Sequence, residues 1–178
     1  YMKNILKGEF GRSFYYRTPV AKIMGERLIS TILLMGISIL MAFVMGVVSG
    51  TIMAWKRGTK FEIAGLITGL TFKSAPEFWT SLMALLVFSY TLGWFPIGGM
   101  HTPGQEFSSF AAKYINLDFL HHLILPSIVA AIFYMATPML IMRNSMLEVM
   151  TEDFVEMARA KGLKERTVMF RHAMRNAM

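Results

Sequence analysis

From Leu28 to Trp55 the chain reads LISTILLMGISILMAFVMGVVSGTIMAW, without one charged residue. A helix needs roughly 20 apolar residues to cross about 30 Å of hydrocarbon, so this run can span a bilayer with residues to spare. The composition agrees with a lipid solvent, because 54% of the 178 residues are hydrophobic and only 16% are charged, giving a mean hydropathy of +0.48. A formal net charge of +7 raises the question of nucleic acid. The Lys and Arg residues, however, sit between apolar runs rather than on one basic face, so no nucleic-acid partner is expected. The absence of cysteine removes disulfide frameworks, thiolate metal sites and Cys nucleophiles, and leaves the redox compartment unread. The 17 methionines are packing residues in such a context rather than a cofactor signal.

A second apolar stretch, Ile63 to Phe95, is interrupted by Lys73, Pro76 and Glu77. As one straight helix it would be about 50 Å long, so it must tilt, kink or leave the bilayer. Pro76 removes a backbone donor and clashes with the preceding turn, which puts the break at Lys73 to Pro76. A third span, Leu123 to Met142, contains Pro126 and Pro138, tolerable where neighbouring groups satisfy the freed carbonyls. These runs predict an all-α, polytopic helical membrane protein: an external segment over 1–27, a helical core over 28–142 with spans at 28–55, 63–95 and 123–142, and a cytoplasmic segment over 143–178. The chain starts at Tyr1 without a secretory signal pattern and stops at Met178 inside an amphipathic segment, so it is expected to be incomplete at both ends.

Orientation follows from the loops. Lys56, Arg57 and Lys60 crowd the first link and the stretch after Arg143 is basic, whereas 96–122 holds one Lys and no Arg, so the first two face the cytoplasm. Lys3, Lys7, Arg12, Arg17, Lys22 and Arg27 then fall outside; three crossings fix the sides, and longer translocated segments obey the charge rule poorly. Gly46/Gly50 and Gly65/Gly69 each form a GxxxG, a spacing that either lets helix backbones approach or reflects the abundance of Gly in membrane helices.

After Arg143 the pattern changes to mixed polar and apolar residues at helical spacing. Thr151 is a candidate N-cap with Glu152 and Asp153 in the first turn. Phe154, Met157, Ala158 and Lys161 fall on one face. Gly162 stops that helix, and a second follows with Leu163, Val168, Met169, His172 and Ala173. Physical reasoning leaves two uses for such a pair: lying on anionic lipid or docking into a protein groove.

The residues MARAKGLKERTVMFRHAMRNA go further. They resemble the coupling loop of permease subunits of binding-protein-dependent ABC importers, in the branch that handles dipeptides, oligopeptides and nickel. Glu156, Ala158 and Gly162 match the general loop pattern, and Met157 departs from it by replacing an Ala. Asp153, Arg159, Ala160, Lys161, Leu163, Val168, His172, Ala173, Arg175, Asn176 and Ala177 match the branch form. GEFGRSFYYRTPV, SAPEFW, LGWFPIGG and RNSMLEV resemble upstream segments of the same branch, in order.

The resemblance implies a type I ABC importer transmembrane domain. It implies that Glu156, Ala158, Arg159, Ala160, Lys161, Gly162, His172, Arg175 and Asn176 couple the chain to separate ABC ATPase subunits. It also implies a second, homologous permease, an extracytoplasmic solute-binding protein, and a bacterial or archaeal cytoplasmic membrane. The chain has no GxxxxGK[ST] phosphate loop, so no cofactor is expected on it and ATP is expected on the partner subunits.

Lys73, Pro76 and Glu77 are candidates for the translocation pathway, since ionisable groups within membrane segments pair or line a wet path; a structural ion pair or snorkelling to an interface is the plainer account. Adjacent His121 and His122 point different ways on a helix without further ligands, so they are read as interfacial and no metal site is expected. Two other functions compete. An intramembrane enzyme lacks any GxSxG or HExxH to work with. The remaining alternative is a membrane-anchored channel or interaction protein with a basic amphipathic tail.

Overall fold

The computed structural model describes Leu6 and residues 8–178, so Lys3 and Lys7 of the N-terminal basic series lie outside it. Among the described residues the elements are helical, with one isolated antiparallel bridge between Arg12 and Pro19. That bridge closes a small loop, in which Ser13 donates to the Thr18 carbonyl at 2.9 Å and Val20 to the Gly11 carbonyl at 3.0 Å. The loop delivers the chain into α1 (Val20–Trp55), which begins eight residues ahead of the apolar run and carries Lys22, Glu26 and Arg27 in its first turns. At 36 residues α1 is about 54 Å long, well beyond the hydrocarbon thickness.

A tight link follows. Gly58 takes φ +78°, a conformation that costs Gly little. Thr59 then caps α2 (Lys60–Ser74) by accepting from the Glu62 amide. Helix α2 ends where the sequence places the kink. Ala75 is extended (φ −68°, ψ 140°), as a residue before proline tends to be, and Pro76 itself becomes the N-cap of α3 (Glu77–Ala84). Helix α3 runs on as a wide π-helical stretch, Leu85–Thr91. The second apolar stretch is thus two shorter helical pieces joined at a corner.

An irregular outer segment carries the short α4 (Phe110–Tyr114) and leads to α5 (Leu117–Tyr134) and α6 (Ala136–Val149). Asn116 serves both neighbours: its Oδ1 accepts from Phe119 at 2.7 Å to cap α5, and its Nδ2 donates to the Ala112 carbonyl at 2.6 Å at the end of α4. The third apolar run therefore extends at both ends, from Leu117 to Val149, and breaks at Met135. Pro138 is the reason, since without an N–H it cannot donate to the Tyr134 carbonyl; the ladder resumes with Met139 donating to Met135 at 3.0 Å. By length and apolarity α1 and α5 can each cross a membrane.

The dominant packing is α1 against α6 and then α5. It is closest at Gly46 and Gly50. A Cβ on Gly46 would lie 2.7 Å from Pro138 Cγ and 2.9 Å from the Met135 carbonyl oxygen, and one on Gly50 would run into the Met139 carbonyl. Here GxxxG is a backbone contact in fact. Gly65 and Gly69 face only the flexible side chains of Met53 and Met139. Two apolar cores lie at the ends of this pair. The outer one gathers Tyr114, Phe119 and Leu123 against Ile29, Leu33, Leu34 and Ile37. The inner one joins Val47, Ala54, Met142 and Met146 to the C-terminal segment.

Candidate functional site

The C-terminal segment consists of α7 (Asp153–Ala160), a turn at Gly162, α8 (Glu165–Thr167), a π-helical stretch Val168–Ala173 and α9 (Met174–Ala177). Gly162 has φ +75°, and its amide donates to the Arg159 carbonyl at 2.8 Å. Arg159 Nε donates to Glu165 Oε1 at 2.9 Å, tying the two helices together across the turn.

Two local expectations change. Glu152, not Thr151, is the N-cap of α7; the Thr151 hydroxyl is spent on the Glu148 carbonyl at 2.7 Å, closing the end of α6 instead. The buried face is Val155 and Ala158 rather than Phe154, Met157, Ala158 and Lys161. Val155, Ala158, Val168, Met169 and Ala173 pack with Val47, Ala54, Met142 and Met146, and Phe170 meets Trp55 edge-on with ring centroids 6.4 Å apart. Ala158 is thus packed against the chain's own helices.

The outward face carries Phe154, Met157 and Leu163, all substantially exposed, along with Glu156, Ala160, Lys161, Gly162 and Arg175. His172 is half-buried, and its carbonyl accepts from Asn176 Nδ2 at 2.7 Å. The segment thus has one face fixed to the membrane helices and one apolar-and-charged face free.

Beside it lies a pair that the sequence did not suggest. Glu62, just ahead of the apolar stretch that starts at Ile63, accepts from the Gly58 amide at 2.6 Å and from Arg143 Nε at 2.8 Å, with a second, shorter contact to the same guanidinium. The Gly58 amide first, and Arg143 second, hold the Glu62 carboxyl below the usual carboxylate range. The clamp fixes the α1–α2 link to the middle of α6. Thr59 and Glu62 do spell a capping-box spacing, which is the local half of the signal; Arg143, 81 residues away, is not readable from spacing.

At the kink, Lys73 and Glu77 do not share a helix face, because the chain turns between them at Ala75–Pro76. No ion pair joins them: Lys73 Nζ donates to Thr137 Oγ1 on α6 at 3.4 Å. Glu77 instead lines a partly open cavity of about 390 Å³ between α1, α3, α5 and the turn Pro96–Gly99. Its walls are mainly apolar, including Leu34, Leu85, Leu125 and Val129, with Glu77, Ser81 and His122 as the polar side chains.

At the end of the bundle away from the C-terminal segment the two adjacent histidines diverge. His121 Nε2 is 2.8 Å from the Trp94 carbonyl oxygen and His122 Nδ1 is 2.8 Å from that of Asp118. Asp118 gathers this region: it accepts from the Thr102 amide (2.9 Å) and hydroxyl (2.6 Å), with His101 at 3.5 Å and His122 at 3.8 Å. The grouping of His101 with His122 was not legible in sequence. Among the described residues no metal-holding group of three ligating side chains is found.

A transmembrane bundle with its inner helix pair packed on α1 and α6 is a recognisable arrangement, and residues 46–178 match the model of the family described as binding-protein-dependent transport system inner membrane component. This chain belongs to that family. Its fold is the all-helical membrane domain of type I ABC importers. The oligopeptide transport system permease protein AppB of Bacillus subtilis is 37% identical over 100% of this chain and 54% of its own length. A putative peptide permease protein of Brucella suis is 38% identical over 97% of the chain and 52% of its own length. The dipeptide transport system permease protein DppB of Alkalihalophilus pseudofirmus is 31% identical over 100% and 57%. The chain spans about half the length of these relatives.

Proposed function

We propose that this family member is the translocation-forming core of a permease subunit in an ATP-driven importer, with peptides as the solute. The observation that carries the reading is the two-faced C-terminal segment. Its inner face is continuous with the α1–α6 core, so a push on its outer face reaches the membrane helices. Separate ABC ATPase subunits would engage Phe154, Glu156, Met157, Arg159, Ala160, Lys161 and Leu163, with His172, Arg175 and Asn176 on the second helix. A second, homologous permease and an extracytoplasmic solute-binding protein complete the assembly, in a multi-pass arrangement in the inner membrane of a bacterium or archaeon. ATP is bound by the ATPase partners, and the chain's own work is to turn their motion into access. The names of the relatives support peptides over other solutes and the permease over a channel or anchored interaction protein.

Lys73, Pro76 and Glu77 stand on the pathway in this reading, with Pro76 setting the corner that turns Glu77 toward the cavity.

The test is Gly162→Asp in the assembled transporter. A Cβ is strained at φ +75° whatever the space around it, and the added charge sits at the turn between the coupling helices. Uptake into vesicles is expected to fall below about a tenth of wild type, and co-purification of the ATPase subunit to be lost, with membrane insertion retained. Wild-type uptake in that variant overturns the assignment.

A further inference from the structure

The carboxylate of Glu77 has no hydrogen-bond donor or cation among the described residues. Ser81, one turn on, donates its hydroxyl to the Glu77 backbone carbonyl at 2.9 Å, and Lys73 is engaged with Thr137. The group lies in an apolar stretch but is itself exposed, and an ionisable side chain in such a stretch meets an opposite charge or water. It also opens onto a cavity of about 390 Å³, inside the roughly 300–1,000 Å³ range of small-molecule sites. The turn that lines one side of the cavity is held in place, with Ser89 Oγ donating to the Pro96 carbonyl at 3.2 Å and the Trp94 carbonyl engaged by His121.

From these observations we infer that Glu77 is the anionic end of a subsite for a primary ammonium group, entered from the external side and walled by apolar side chains of α1, α3 and α5. An ammonium there would replace its lost hydration with the carboxylate, while the alkyl part adjoining it packs on Leu34, Leu85 and Val129. A free peptide amino terminus and a lysine side chain both present this group. The inference rests on the importer reading for the delivery of solute, but the subsite can be measured without transport.

The whole transporter in native membranes is treated with a hydrophobic carbodiimide, and the mass of the Glu77 peptide is followed. Modification of Glu77 is expected, with n-butylammonium protecting it at least about tenfold better than neutral N-butylacetamide. Absence of modification, or equal protection by both, overturns the subsite. In uptake assays Glu77→Gln should raise the apparent KM for a free-amine peptide about fivefold, the upper end of what a solvent-accessible ion pair contributes. The preference over the N-acetylated peptide should collapse; an unchanged preference overturns the subsite. An N-acetylated peptide bearing Lys separates the two sources of the ammonium: sensitivity to Glu77→Gln assigns the side chain, and insensitivity beside a sensitive free-amine peptide assigns the amino terminus. Protection of Glu77 by butylammonium in vesicles that take up no peptide removes the peptide reading and leaves the subsite standing.

Discussion

A methyl group added at Gly50 would meet the Met139 carbonyl oxygen and stand 3.0 Å from the Arg143 amide nitrogen, so the α6 backbone would have to move. The same group at Gly69 meets the end of the Met139 side chain, which can rotate away. Gly50→Ala is therefore expected to destabilise the bundle by about 1–3 kcal/mol through overpacking, with Gly69→Ala well under half of that, as read by thermal unfolding in detergent. Similar costs for both would mean that α1 and α6 do not touch where described. The Glu62–Arg143 clamp supplies a second comparison. Glu62→Gln leaves a largely covered guanidinium short of its partner and removes a charge-assisted bond from the Gly58 amide, at a cost of about 1.5–3 kcal/mol. A double-mutant cycle with Arg143→Gln should show coupling of at least about 0.5 kcal/mol; additive losses would dissolve the clamp. Of these residues, the glycines were visible in the sequence as a spacing whose meaning stayed open, and Glu62 carried no reading there. The difference between Gly50 and Gly69 depends on what faces each across a helix pair, and no one-dimensional pattern holds that.

At the scale of elements, proline punctuation was the most legible signal. Pro76 breaks the second apolar stretch where its missing donor says it should, and the corner keeps Lys73 and Glu77 on separate helices. Their four-residue spacing, which on one helix would have made them neighbours, lost its meaning with the break. Pro76→Ala restores a donor and should let α2 run into α3. Spin labels at 66 and 86, in a chain with no native cysteine to compete, should then report a longer and narrower distance distribution. An unchanged distance would place the origin of the corner in packing rather than in proline. The amphipathic faces of the C-terminal helices were less legible. Counting i, i+3 and i+4 found a stripe through Phe154 and Met157 because those are the large apolar residues, but the smaller Val155 and Ala158 are the ones that fit between α7 and the membrane helices. These helices carry apolar residues on two faces, and hydropathy does not say which is inside.

For the molecule as a whole, the helical class followed from the long apolar runs, while the union of the C-terminal segment with the α1–α6 core did not. Because Val155, Val168 and Met169 share one cluster with Met142 and Met146, this segment should open as part of the bundle rather than fray alone. Met169→Ala, at a fully buried position, is expected to cost about 2–5 kcal/mol. Hydrogen exchange should then speed up together in 153–177 and in the inner turns of α6. Faster exchange confined to 153–177 would show a segment merely resting on the bundle.

The backbone crossing at Gly46–Gly50 divides α1 unequally. At 1.5 Å per residue, roughly 10 Å of helix lies between it and Trp55, and roughly 42 Å lies between it and Val20. A rod turning on that crossing is a lever with a short inner arm and a long outer one. An ångström of travel delivered through the inner core becomes roughly four at Val20 and roughly two at Leu34 and Met35, where α1 lines the Glu77 cavity.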